Sequence, residues 1–185
     1  MDENPIDIFP YPAADFTQPI ELIEACHQRI RRSCSLLGRL AVHLANYGAD
    51  NEARHAARSI LRYFDEAAPN HHLDEEADLF PALLKAATEA ERKNIETIIA
   101  RLVSEHASLD GLWKRTRIKL EEIEAGEAAP LSEANAHNLG EAYDHHIRFE
   151  ESELLPLARR LLGPQELARL GASMAARRGA GQPAK

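Results

Sequence analysis

HHLDEEADLFP, from His71 to Pro81, and HIRFEESELLP, from His146 to Pro156, are near copies of each other. Both have His first, Glu fifth and sixth, Leu ninth and Pro eleventh. On a helix, residues four apart share a face and stand about 6 Å apart along the axis. Each copy therefore presents an imidazole and a carboxylate side by side. Two such pairs, on helices that pack together, suit a pair of transition-metal ions.

The flanking sequence supplies the helices. Thr17 or Gln18 with Pro19 opens a first helix. Its apolar seam is Ile23, His27, Ile30, Cys34, Leu37, Ala41 and Leu44, in alternating steps of four and three. Tyr47-Gly48-Ala49-Asp50 is a turn, with Gly closing one helix and Asp capping the next. The second helix is expected over 51–68, interrupted at Pro69-Asn70, with the first copy following and Pro81 kinking or restarting the chain. A third helix, from about 88 to 125, has the seam Ile95, Ile99, Leu102, His106, Leu109, Trp113, Thr116 and Leu120. A fourth starts near a Ser132 cap, with Asn135, Leu139, Ala142, His146 and Phe149 on its seam, and Gly163-Pro164 ends it. The pattern predicts an all-α, up-down-up-down four-helix bundle over 18–162. An extended arm over 1–17 precedes it, and a short helix and mobile tail over 163–185 follow.

One histidine interrupts each apolar seam, and two of the four have Glu at i+4. A buried polar group without a partner costs about 1 to 3 kcal/mol, and buried carboxylates cost more unless paired or metal-bound. Four such histidines in one core therefore point to a shared ligand. The spacing from lone seam histidine to motif is 44 residues in one half (His27 to His71) and 40 in the other (His106 to His146), as in a duplicated half-site.

Both motifs contain doubled histidines, so register matters. The pairs are His71 with Glu75 or His72 with Glu76, and His146 with Glu150 or His145 with Glu150 or Glu151. Alignment on Pro81 and Pro156 pairs His71 with His146 and Glu75 with Glu150, and the fourth seam selects His146 over His145. His72, His145, Glu76 and Glu151 then become supporting or surface groups, and Asp144 is expected to support a ligand histidine. His43, His55 and His137 fall outside the repeat. Four imidazoles and two carboxylates suit iron or another first-row metal better than magnesium or calcium. Six ligands exceed the roughly four of a mononuclear zinc site, and they cannot saturate two octahedral ions.

Composition narrows the function classes. The net charge of −8 argues against general nucleic-acid binding. No apolar run approaches the length of a membrane span. The acidic, Pro-rich start, MDENPIDIFPYP, does not have the pattern of a signal peptide. Cys26 and Cys34 are about 12 Å apart along one helix, too far for a disulfide, and fit a reducing cytoplasm as small core residues.

With His27 in ACHQRI, HHLDEEADLFP, His106 in the pair Glu105-His106, and HHIRFEESELLP, the chain resembles the hemerythrin superfamily in its bacterial form, the HHE cation-binding domain. The resemblance covers about residues 18 to 162. It implies a metal ligand set of His27, His71, Glu75, His106, His146 and Glu150. It also implies a cofactor of two non-haem iron ions with carboxylate and solvent-derived bridges. Oxygen carriers of that family have a second histidine four residues after the third-helix ligand, where this chain has Asp110, and their last carboxylate falls at the position of Glu151. These departures favour sensing or handling of O2, NO or peroxide over reversible oxygen carriage. The competing readings are iron storage or delivery for iron-centre repair, and a peroxide-consuming di-iron enzyme. A monomer or a homodimer is expected.

Overall fold

The computed structural model describes residues 15–127 and 131–180, which form five helices with no strand among them. Helix α1 (Pro19–Tyr47) has Pro in its first turn, where the missing N–H is not needed. It ends at Gly48, whose left-handed φ of 72° lets its N–H turn back to the Leu44 carbonyl at 3.0 Å. Helix α2 spans 51–86, and Asp50 caps it by accepting from the Ala53 N–H at 2.9 Å. Helix α3 (Glu89–Ala125) starts in a box where the Thr88 N–H donates to the Glu91 carboxylate at 3.2 Å. Helix α4 spans 133–161, with Ser132 accepting from the Asn135 N–H at 3.1 Å. Helix α5 is Pro164–Arg177. Helices α1, α2 and α3 each pack on the next, α4 closes onto α1, and α5 packs on α2 and α1. Short connections then dictate an up-down-up-down bundle.

The second helix does not stop at residue 68, and Pro81 does not restart it. Three turns instead widen to π geometry: Tyr63–Ala67 and Asp74–Leu79 in α2, and Glu150–Leu154 in α4. Each is followed by one residue and then Pro69, Pro81 or Pro156. The residues before those prolines, Ala68, Phe80 and Leu155, donate to carbonyls five positions back, at Tyr63, Glu75 and Glu150. Proline has no N–H to give, and its ring collides with the carbonyl four residues back in a regular helix. A widened turn accommodates it and keeps the helix continuous. Such bulges are common at functional sites, and two of these carry the Glu residues of the repeat.

The buried face of α4 also differs from expectation. Ala136, Leu139, Tyr143, His146 and Ile147 are buried, whereas Asn135 is exposed and Ala142 and Phe149 are half-buried. Asn135 belongs to the capped first turn at the end of the bundle, where nothing covers it.

The core has two parts. One cluster contains Ile30, Leu37, Phe64, Leu109, Trp113 and Ile147; the other contains Ile23, Leu79, Leu83, Ile95, Leu102 and Leu154. Along α1 the order is Ile23, His27, Ile30, and along α3 it is Leu102, His106, Leu109. The seam histidines therefore form a polar band between two apolar layers.

Helix α5 closes the end nearer the second cluster, contributing Leu170 and Met174. At Gly171 an added Cβ would meet the Phe16 carbonyl oxygen at 1.8 Å, so only glycine admits this approach. Arg177 and Arg178 are both committed to the buried Asp74, and Arg177 also reaches Asp78 at 2.6 Å. The rest of the expected arm, residues 1–14, and the tail end, 181–185, lie outside the described residues.

Candidate metal centre

Each helix of the bundle delivers its part of the polar band. His27 comes from α1, His71 and Glu75 from α2, His106 from α3, and His146 and Glu150 from α4. All six are buried. Glu75 turns Oε1 to His71 Nε2 and Oε2 to His106 Nε2, each at 3.4 Å. Glu150 turns Oε2 to His27 Nε2 and Oε1 to His146 Nε2, each at 3.1 Å, with Oε1 also 3.8 Å from His106 Nε2. Each carboxylate thus spans two imidazoles from different helices.

These residues fall into two overlapping groups, each compact enough to hold one metal ion: His27, His71, Glu75 and Glu150, and His106, His146, Glu75 and Glu150. Glu75 and Glu150 belong to both. With metal–ligand bonds of about 2.1 Å, neighbouring ligands of one octahedral ion stand roughly 3.0 Å apart. The 3.1 to 3.4 Å spacings found here are close to that.

The chemistry of the donors also fits a cation pair. The inward-facing His27, His71, His106 and His146 Nε2 atoms and both oxygens of Glu75 and Glu150 are buried without a hydrogen-bond partner. Leaving so many orphans together is costly unless something absent from the protein satisfies them. Two metal ions would satisfy them all.

Three of the four imidazoles are oriented from behind. His27 Nδ1 meets Glu151 at 3.1 Å, His106 Nδ1 meets Glu76 at 2.5 Å, and His146 Nδ1 meets Glu105 at 2.9 Å. A carboxylate on Nδ1 holds the proton there and leaves Nε2 as the lone-pair donor. Glu76 and Glu151 occupy the same repeat position, and each reaches across to the lone seam histidine of the other half. Arg31 grips Glu151 with two bonds of 2.9 Å. Arg101 holds Glu105 at 2.8 Å and donates to His145 Nε2 at 2.9 Å. Asp144 does not touch a ligand histidine; it pairs with Arg148 at 2.7 Å and lies 3.6 Å from Arg31, one step further out. Sequence reasoning gave no role to Glu105, Arg31 or Arg101. Their charges look like any solvated helix surface until the helices are packed.

Proton affinities reflect the same crowding. Burial pushes Glu75 up to about 7, with the nearby Glu150 adding to it. Burial resists charge on Glu150 as well, but the close-facing imidazoles of His106, His146 and His27 prevail and hold it well below the usual range. At His106, burial opposes protonation, yet Glu150 and Glu75 raise it to about 10. Burial, reinforced by His27, keeps His71 neutral, well below its ordinary value. The buried carboxylates thus raise the proton affinity of His27, His106 and His146 against the opposing effect of burial.

His72 takes a supporting position beside the ligand candidate His106. It is half-buried, its Nε2 has no partner, and its ring stacks on His106 with centroids 4.0 Å apart. A cavity of about 530 Å³ reaches this side of the centre, lined by Phe64, His72, Glu76, His106, Trp113 and Tyr143. Asp110 lies at its edge and pairs with Lys114 at 2.6 Å, away from the band. His43 bonds Asp50, His55 bonds the Asn51 carbonyl and His137 bonds Glu141, all remote from the centre.

Fold and site together define a four-helix bundle with a cation-binding centre in its core. Residues 18–158 match the family model described as the hemerythrin HHE cation binding domain, and the chain belongs to that family. It is also similar to a protein of Haemophilus influenzae that bears the name "Uncharacterized protein". The two are 33 % identical over 169 residues, which cover 91 % of this chain and 95 % of the relative. Among the described residues, no helix is long and apolar enough to cross a membrane.

Proposed function

We propose that this chain is a non-haem di-iron protein that senses or handles O2, NO or peroxide. In this reading His27, His71, Glu75, His106, His146 and Glu150 hold the ions, and the protein works in the cytoplasm. The observation that carries the reading is the pair of carboxylates, Glu75 and Glu150, each facing imidazoles of both half-sites. A nitrogen-rich set with two shared carboxylates suits iron better than the all-oxygen shells of magnesium and calcium. An iron pair here would supply one-electron redox chemistry and open positions for a small ligand.

The protein's own part is positioning and enclosure. Glu76, Glu105 and Glu151 hold the Nδ1 protons of His106, His146 and His27, which keeps each Nε2 pointed inward. Leu102 and Leu109 are buried on either side of His106 and exclude water from the band. The cavity beside His106 offers a small molecule a route to one half-site. A thiol-based peroxidase is disfavoured, because burial pushes Cys34 up to about 12 and raises Cys26 too, so both stay protonated.

The test is metal content by mass spectrometry with the visible spectrum of aerobically purified protein, followed by titration of the reduced form with O2, NO and peroxide. About two irons per chain and a spectral change with one of these ligands are expected. Folded protein that refuses iron on anaerobic reconstitution overturns the reading.

A further inference from the structure

We propose that Arg177 and Arg178 are positioning residues for the metal centre: by holding Asp74 from the end of α5, they keep Glu75 in place and slow metal release. This rests on the metal-pair reading above. Helix α5, Pro164–Arg177, lies beyond residues 18–158, which match the family, so it is an addition to the matched bundle. It packs on α1 and on the π turn Asp74–Leu79.

That turn is gripped on two sides. Towards the centre, Glu75 faces His71 and His106 at 3.4 Å each. Towards α5, the fully buried Asp74 accepts from Arg177, and from Arg178 at 2.5 and 3.1 Å. One turn on, Asp78 accepts from Arg177 at 2.6 Å and from Ser173 at 2.9 Å. The charge of Arg178 also acts on the thiol of Cys26, the neighbour of His27. In the second copy, Phe149 and the exposed Glu153 occupy the positions of Asp74 and Asp78, so the cationic clamp serves the Glu75 turn.

Asp74 and Glu75 are consecutive, so a rotation of the turn moves both. A π turn lacks the regular four-residue hydrogen bonds that stiffen an α-helix, and its placement depends on what packs against it. A carboxylate buried without its cations is costly. When α5 lifts away, Asp74 must turn towards water, and the segment carrying Glu75 follows. Such coupling is reciprocal: whatever holds Glu75 at the centre strengthens the docking of α5 by the same factor.

The experiment loads the full chain with Fe(II) anaerobically and follows iron loss to excess chelator. Arg177→Ala with Arg178→Ala should release iron about 10- to 100-fold faster than the native chain. Ile123→Ala, fully buried in the other apolar cluster, controls for lost stability and should release iron at the native rate. Hydrogen exchange of the native chain gives a second reading. Amides of α5 should exchange about 10-fold more slowly in the loaded form than in the metal-free form. An unchanged release rate in the double variant, or an equal acceleration in Ile123→Ala, overturns the proposal and leaves the metal pair intact. So does equal exchange of α5 in both forms, a comparison that decides alone if the double variant does not fold. No iron uptake by the native chain is a separate outcome that overturns the metal-pair reading and this proposal with it.

Discussion

The copy at 71–81 and the copy at 146–156 build the same structure from their five shared positions, and two of the six differing positions change what surrounds the centre. In both, His and Glu enter the polar band, the second Glu crosses to the other half, and a π turn runs up to the residue before Pro. At the second position, His72 in one copy corresponds to Ile147 in the other. At the fourth, buried Asp74 corresponds to half-buried Phe149. Asp74 needs cations and receives Arg177 and Arg178 from α5. Phe149 needs none and has Arg101 over its ring at 3.6 Å. The shared residues carry the centre; the differing ones give it an open side next to the cavity and a latch at the C-terminal helix. The two copies match at the positions that face the centre and differ beside them.

The strongest way to break the comparison is to remove a shared carboxylate. Glu150 faces three imidazoles and Glu75 two. Glu150→Ala should abolish binding of both ions, and Glu75→Ala should leave at most a trace, read as metal per chain after reconstitution. Retention of a full metal pair by either variant would mean that the carboxylate it removes is not shared between the ions.

The latch comes next. Arg177→Ala with Arg178→Ala strands the fully buried Asp74 charge and should destabilise the protein by about 3 kcal/mol in chemical denaturation. Arg101→Ala, on the Phe149 side, should cost about 1 kcal/mol or less. Equal losses would remove the distinction between the two copies.

The metal-free protein should lose stability as pH rises from about 7 to 9. His106 has its folded value raised to about 10, above an ordinary 6.5, so its contribution is complete below the ordinary value and fades as pH climbs towards the raised one. Glu75, raised to about 7, has the same sign at lower pH. Glu150, held low, contributes above its ordinary 4.5 and loses that contribution in acid. Metal loading should reverse the upper slope, since the ligands must shed protons to bind. Thermal melts of both forms across this range decide the matter; a metal-free midpoint that climbs with pH would contradict the assignment.

Smaller still, Glu76→Gln and Glu151→Gln should each weaken metal binding about 10- to 100-fold without loss of fold. Competition with a chelator measures this, and the two values should agree if the crossing contacts are equivalent. His137→Ala, on the exposed face, should change nothing in metal content; a loss there would show that histidine number rather than geometry governs uptake.

The sequence by itself determined much of this. Seam periodicity, the Gly48 stop, the Asp50 and Ser132 caps and the doubled motif defined the bundle, its helix order and the six residues that converge. The choice of His71 over His72 as the partner of Glu75 followed from the prolines of the repeat, because equal spacing to Pro81 and Pro156 places equivalent residues on equivalent faces. Periodicity resolves a helix face only to within about one residue, and a π turn inserts one more. The buried face of α4 and the passage of α2 through Pro69 and Pro81 were therefore decided by tertiary packing. A lone proline signals equally well a break or a widened turn; the apolar layers on both sides favour the continuous helix here. The contacts of Glu105, Glu76 and Glu151, and the place of His72 beside His106, were likewise settled only in three dimensions. They join residues 30 to 124 positions apart, and no local pattern in the chain encodes which polar side chain will meet which buried nitrogen.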